Sequence, residues 1–173
     1  PLLRDGLDVF TPALRRTPPE SLDPNIKSHN YLNLVLADLE VRDRSSHAWA
    51  VLLDTRGYLS EGIGSNIFLV KDGVVFTPDA QYVLAGISRQ VVIDLALAIG
   101  LEVRETDLRV MDATEADEAF ITSTSFCICP VRTYDGATLG ASQVPGPVTQ
   151  RLSEAFAGEV GHDFVSQYLQ ALD

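Results

Sequence analysis

Lysine is nearly missing from this chain of 173 residues: among 13 basic side chains only Lys27 and Lys71 are lysines. Bases as a whole are scarce, 13 against 24 acids, for a formal net charge of −11. No broad basic face can then track a phosphodiester backbone, which argues against a nucleic-acid binder. Long apolar runs are missing too. None approaches the roughly 20 residues that span a bilayer, and no signal-peptide pattern opens the chain, so no membrane partner is expected. Cysteine is limited to Cys127 and Cys129. Two positions apart in a strand, they would share one face, too close for a comfortable disulfide and too few for a zinc cage. Such usage suits a reducing, cytoplasmic compartment. His29, His47 and His162 have neither metal spacing nor a nucleophile partner, so no metal site is expected.

What is present is enough for one globular domain, with 46% hydrophobic residues and a length that buries roughly 70% of the unfolded surface. Pro1-Leu2-Leu3 leads straight into Gly6-Leu7-Asp8-Val9-Phe10, which reads as the end of a loop entering a strand. A carboxy-terminal domain of a longer polypeptide is the expectation. Thr17-Pro18-Pro19 and Asp23-Pro24 then break the chain. From Lys27, the residues Leu32, Val35, Leu36 and Leu39 fall at helical spacing, which predicts an amphipathic helix from Lys27 to about Val41. Ala48 to Leu53 reads as a strand, with a return at Tyr58 to Glu61. Asn66 to Val70 and Val74 to Phe76 flank Lys71-Asp72-Gly73, a hairpin signal. Gly86 to Ile99 is a predicted helix closed by Gly100, with a short strand at Leu101 to Arg104. Glu118 to Val131 predicts a strand, an irregular loop and another strand around Pro130. Helices are expected at Arg151 to Phe156 and at Phe164 to Leu172. The sum is a mixed α/β domain.

Several residues could carry chemistry. Lys27 sits beside apolar neighbours, and a desolvated amine becomes a nucleophile, which makes it a Schiff-base candidate. An ordinary helix-start lysine snorkelling over apolar surface has the same pattern. Gly86-Ile87-Ser88-Arg89 opens a helix, where free N–H groups, a hydroxyl and the helix dipole can hold a phosphate without bulk positive charge. Gly and Ser also serve simply as caps. Glu61 ends a strand before Gly62 and Gly64, which let backbone approach a ligand; a bulged turn with Glu61 in solvent is the alternative. Thr122-Ser123-Thr124-Ser125 is a hydroxyl-rich patch ahead of Phe126. Trp49 and Phe126 suit a core or a pocket wall.

Taken in order, the stretches DPNIKSHNYL, LLDTRGYLSEGIGSNIFLVKDGVVFTP, VLAGISRQVVIDLA, DEAFITSTSFCICPVRTYDG and VPGPVT resemble the class IV aminotransferases, the fold-type IV pyridoxal-phosphate enzymes. That family includes branched-chain and D-amino acid aminotransferases, (R)-amine transaminases and aminodeoxychorismate lyase. The resemblance covers most of residues 15 to 150. It implies a D-amino acid aminotransferase-like large domain, a mixed-sheet pseudo-barrel flanked by helices. Residues 1–173 would form the carboxy-terminal cofactor-binding domain, and a smaller amino-terminal domain would supply an arginine on the phosphate. By the same resemblance Lys27 holds pyridoxal 5'-phosphate as an internal aldimine, and Glu61 bonds the pyridine nitrogen. Leu84 packs on the ring, Ile87 and Ser88 cradle the phosphate with Thr124, and Tyr31 lies near the ring oxygen. Ser125 and Phe126 match the turn whose amides face the substrate carboxylate. Phe126 departs from the small residue common there, and Ser88 replaces threonine while keeping the hydroxyl.

The implied reaction is transamination between an amino acid or amine and a 2-keto acid, with Lys27 as general base and acid. A homodimer is implied too. Three other functions compete: elimination by the lyase branch, a non-catalytic domain that binds a phosphorylated metabolite at Gly86 to Arg89, and a pure dimerisation domain.

Overall fold

The computed structural model describes residues 2–141 and 143–170. Its strands are β1 (Leu7–Phe10), β2 (Ala48–Leu53), β3 (Leu59–Gly62), β4 (Ser65–Lys71), β5 (Val74–Thr77), β6 (Val103–Glu105), β7 (Glu118–Ser123), β8 (Cys127–Tyr134) and β9 (Ala137–Thr138). The helices are α1 (Leu2–Asp5), α2 (Leu32–Val41), α3 (Ile87–Ala98), α4 (Val110–Thr114), α5 (Pro147–Val160) and α6 (Phe164–Gln170). Strands run in the order β3-β2-β1-β8-β7-β4, and a β3–β4 pairing closes them into a six-stranded barrel. Beyond it, β5 and β6 extend the sheet from β4, and β9 pairs with β8. The β1–β2, β1–β8 and β5–β6 contacts are parallel, the others antiparallel. The expected mixed pseudo-barrel with flanking helices is what the chain forms.

The pleat of β2 divides the interior. Successive side chains point to opposite faces, so Val51 and Leu53 join the main core while Ala50 and Leu52 meet α2. In the main core, Phe68 of β4 stacks on Phe120 of β7 with ring centres 4.9 Å apart. The α2 face that packs on β2 consists of Leu34, Ala37 and Val41. Here the sequence expectation is corrected. Leu32, Leu36 and Leu39 are exposed, and Val35 is only half-buried. Because Leu32-Asn33-Leu34-Val35-Leu36 is apolar on both faces, spacing alone could not choose between them. The helix also begins at Leu32 rather than Lys27, after His29 adopts a φ of 61°. Lys27 to Asn30 are loop.

Other boundaries moved for identifiable reasons. Helix α5 begins at Pro147, four residues ahead of the expected Arg151. Its first turn is held by Glu118 of β7, which accepts from Val148 N–H at 2.9 Å and Thr149 N–H at 2.8 Å. That partner is remote in sequence. The break expected near Pro130 falls instead at 124–126, and Pro130 lies inside β8, its missing N–H just ahead of Val131, where pairing with β1 starts. Strand β6 is shifted to Val103–Glu105. Helix α6 is described to Gln170, and Leu172, the expected end, lies outside the described residues. Cys127 has a left-handed φ of 56°, so the pair departs from a regular pleat at its first member; both thiols are free. Among the described residues, no helix is long and apolar enough to cross a membrane.

Candidate active site

One rung of the barrel carries three buried polar residues side by side. Glu61 on β3 pairs with Asn66 on β4, and Asn66 pairs with Thr122 on β7. Directly opposed residues in paired strands share a face, and all three line the same cleft of about 200 Å³. Burying such groups is costly unless each finds a partner. Glu61 does so twice: Oε1 accepts from Arg16 Nε at 2.8 Å, and Oε2 accepts from Leu84 N–H at 3.0 Å. Burial is the largest influence on its carboxyl and lifts it above the ordinary range. The Leu84 N–H, the Arg16 guanidinium and the charge of Lys27 pull it back. Thr122 Oγ1, by contrast, is buried without a hydrogen-bond partner.

The segment from Leu84 to Gly86 is fastened by side chains from elsewhere. Besides the Glu61 bond to Leu84 N–H, Asn66 Nδ2 donates to Leu84 O at 2.9 Å and Ala85 N–H donates to Asn25 Oδ1 at 3.0 Å. Gly86 sits so close to Asn66 Oδ1 that a Cβ there would collide with it. Gly86 is also the N-cap of α3, and no side chain caps that helix. The first N–H groups of a helix have no partner within it, and those of Ile87 and Ser88 stand at the cleft wall. Amides, a Ser88 hydroxyl and the positive helix end make an anion cup.

Lys27 approaches from the exposed loop before α2, and its Nζ lies 2.6 Å from Tyr31 Oη. His29 stacks on Tyr31 with ring centres 5.9 Å apart and also lines the cleft. The structure thus brings Lys27, Tyr31, Glu61 and Leu84 to one cleft with Ile87, Ser88 and Thr124. Ser125 is exposed in the turn next to Thr124, and Phe126 packs on Trp49 rather than lining the cleft.

Arg16, Asn25 and Asn66 carry no site assignment from sequence, and Thr122 enters there only within the hydroxyl-rich patch Thr122 to Ser125. A signal for Arg16 existed in the doublet Arg15-Arg16. In extended chain, neighbouring side chains diverge, and here Arg15 is exposed while Arg16 turns in to Glu61. The asparagines carry no such signal, because their bonds join segments 18 and 60 residues apart.

The barrel is shared with known proteins. A model of the family described as amino-transferase class IV matches residues 2–134. The chain belongs to the class IV aminotransferases. It is 40% identical over 158 residues to the branched-chain-amino-acid aminotransferase of Escherichia coli K12, covering 90% of this chain and 50% of that protein. The crystal structure of the Escherichia coli enzyme superposes with a TM-score of 0.86 at 40% identity, over 91% of this chain and 52% of the other. The T.th. branched-chain amino acid aminotransferase, complexed with N-(5'-phosphopyridoxyl)-L-glutamate, gives 0.85 at 33% identity, over 92% and 53%. The chain spans about half the length of the curated relatives it matches.

Proposed function

We propose that this chain forms the cofactor-binding part of a pyridoxal 5'-phosphate-dependent aminotransferase, which moves an amino group between an amino acid or amine and a 2-keto acid. One observation carries the proposal: a lysine amine, a buried carboxylate and an uncapped helix N-terminus converge on a single cleft. The donor set fits the cofactor end to end. The amine suits an aldehyde, Glu61 suits a ring nitrogen, and the start of α3 suits a phosphate. Close packing of Gly86 against Asn66 fixes the start of α3, and the orphaned Thr122 hydroxyl leaves hydrogen-bonding capacity in the wall. Relatives named as branched-chain aminotransferases support the same assignment.

When bound, pyridoxal phosphate supplies an aldehyde that captures amines and a ring that takes up the electron pair released at the substrate carbon. The chain's own groups do the rest. Lys27, on a loop and with a flexible stem, brings Nζ to the cleft, where it would accept the substrate α-proton and return it. Tyr31 holds that nitrogen by its hydroxyl. Arg16 and Leu84 N–H favour the ionised form of Glu61, and that carboxylate would favour a protonated ring nitrogen. Leu84 offers an apolar wall to the ring face. The amides of Ile87 and Ser88 and the hydroxyls of Ser88 and Thr124 hold the phosphate. Ser125 and Phe126 belong to the substrate-side turn.

Borohydride reduction of the whole protein with its cofactor tests this. A pyridoxyl adduct is expected on the Lys27 peptide, absent in Lys27→Ala, with turnover lowered about a thousandfold. A Lys27→Ala protein that still gives a reducible adduct and transaminates would overturn the assignment. Turnover without any 2-keto acid acceptor would move it to elimination. We infer a homodimer as well, supported by the exposed apolar residues Ile26, Leu32, Leu36 and Leu39; sedimentation measures it directly. The free thiols are consistent with a cytoplasmic location.

A further inference from the structure

Phe126 interrupts the polar turn 124–126, yet its ring does not enter the cleft. It lies edge-on to Trp49 of β2, with ring centres 5.6 Å apart at 76°, and edge-on to Tyr168 of α6, at 6.3 Å and 74°. Both geometries are favourable aromatic contacts. Trp49 is itself tied to the cleft, since its Nε1 donates to Ser65 Oγ at 3.0 Å and Ser65 is a lining residue. The backbone on either side of the ring is fixed too. Phe126 N–H donates to Ser123 Oγ at 3.1 Å, and Cys127 holds its left-handed φ of 56°. A non-glycine residue in that region is uncommon and needs surrounding structure to hold it. Thr124, two residues before the ring, lines the cleft, whereas Tyr168 does not.

We propose that Phe126 is a positioning residue: clamped between Trp49 and Tyr168, it lets helix α6 set the position of the 124–126 turn and so the affinity for carboxylate-bearing substrates. This rests on the function proposed above, which places the substrate carboxylate at that turn. A bulky side chain where the resemblance leads one to expect a small residue then does not narrow the cleft. It fastens the turn from behind.

The test uses the whole protein with its cofactor and 4-methylvaleric acid, the unreactive carboxylate bound in one T.th. aminotransferase structure. Trp49 is the single tryptophan of this chain, so its emission, assigned by difference against Trp49→Phe, reports on the clamp. In Phe126→Leu, 4-methylvaleric acid is expected to bind about tenfold more weakly, two edge-on contacts being lost. KM for the amino donor rises in step, kcat changes less than about twofold, and pyridoxal phosphate affinity falls by less than the affinity for 4-methylvaleric acid, because Ile87 and Ser88 hold the phosphate independently of Thr124. The Trp49 response to 4-methylvaleric acid disappears, and Phe126→Tyr restores it. Tyr168→Ala, outside the cleft, weakens binding about threefold. Lower thermal stability in Phe126→Leu with unchanged affinity and an unchanged Trp49 response would overturn the proposal and leave the aminotransferase assignment standing. A wild-type protein that binds neither pyridoxal phosphate nor 4-methylvaleric acid would overturn both.

Discussion

Replacing Arg16 by methionine removes the charged partner of Glu61, a carboxylate buried at the cleft. Arg16 Nε and Glu61 Oε1 are 2.8 Å apart, with side chains 11% and 6% exposed. At that separation and an effective dielectric of about 20, the charges attract by about 6 kcal/mol before the cost of dehydrating them is subtracted. Removing one member of such a pair strands the other, and the measured loss in comparable cases is about 3–5 kcal/mol. Arg16→Met should therefore unfold more easily by about that amount near neutral pH. The pH dependence separates charge from packing. Burial already holds the Glu61 carboxyl above its ordinary value of 4.5, and without the guanidinium it goes higher still. A carboxyl with a raised folded pKa binds its proton more tightly when folded, so the penalty is fully present above that pKa and fades as pH falls through it. The deficit of Arg16→Met against wild type is then largest near neutrality and shrinks toward pH 4.5. Denaturant unfolding at a series of pH values measures it. In a Glu61→Gln background the same substitution should cost far less, because no stranded charge remains. An equal deficit at every pH, or full cost in the Glu61→Gln background, refutes the electrostatic role of Arg16.

Gly86→Ala places a methyl group against Asn66 Oδ1 and displaces the start of α3. Pyridoxal phosphate affinity should fall about tenfold, the equivalent of one charge-assisted hydrogen bond, and absorbance titration of the whole protein reads it. Unchanged affinity would mean that the cup tolerates the shift. Glu118→Ala strips the cap from α5 and leaves the Val148 and Thr149 N–H groups without their acceptor. A loss of about 2–3 kcal/mol is expected, seen by calorimetry as a Tm lower by about 5–10 °C. Cofactor affinity should not change, because Glu118 and the cleft residue Thr122 stand at opposite ends of β7.

What the sequence revealed depended on whether the cause was local. Lys71-Asp72-Gly73 announces a hairpin because its turn needs positive φ, and Asp72 and Gly73 have φ of 50° and 78°. Gly100, with φ of 81°, closes α3 in the same way. Both Lys27 and Glu61 were conspicuous by residue type, one for the rarity of lysine and the other for its place at a strand end beside glycines. By contrast, the true buried face of α2 was invisible, since Leu32 and Leu34 are chemically alike and only the position of β2 distinguishes them. Short α4 was missed because five residues carry too little periodicity to register. The start of α5 depends on a carboxylate 30 residues away. Partners of the site, Arg16 and Asn66 above all, acquire their meaning only when the barrel closes.

The division of labour in the cleft follows from where each group is mounted. Glu61 and Asn66 occupy one rung of the β3–β4 pair, and both grip Leu84, one by its N–H and the other by its carbonyl. Gly86, two residues on, begins α3. The groups proposed to meet the ring nitrogen and the phosphate are therefore parts of one rigid unit, referenced to the same pair of strands. Lys27 is mounted differently, on an exposed loop ahead of α2, with Tyr31 rather than a strand as its neighbour. Cofactor grip requires fixed geometry, because a displacement of an ångström spoils preorganised charge and hydrogen bonds. Proton delivery requires a nitrogen that can move between substrate and cofactor. A rung of buried polar residues suits the first need, and a long flexible side chain on a loop suits the second, as the roles proposed for Glu61 and Lys27 require.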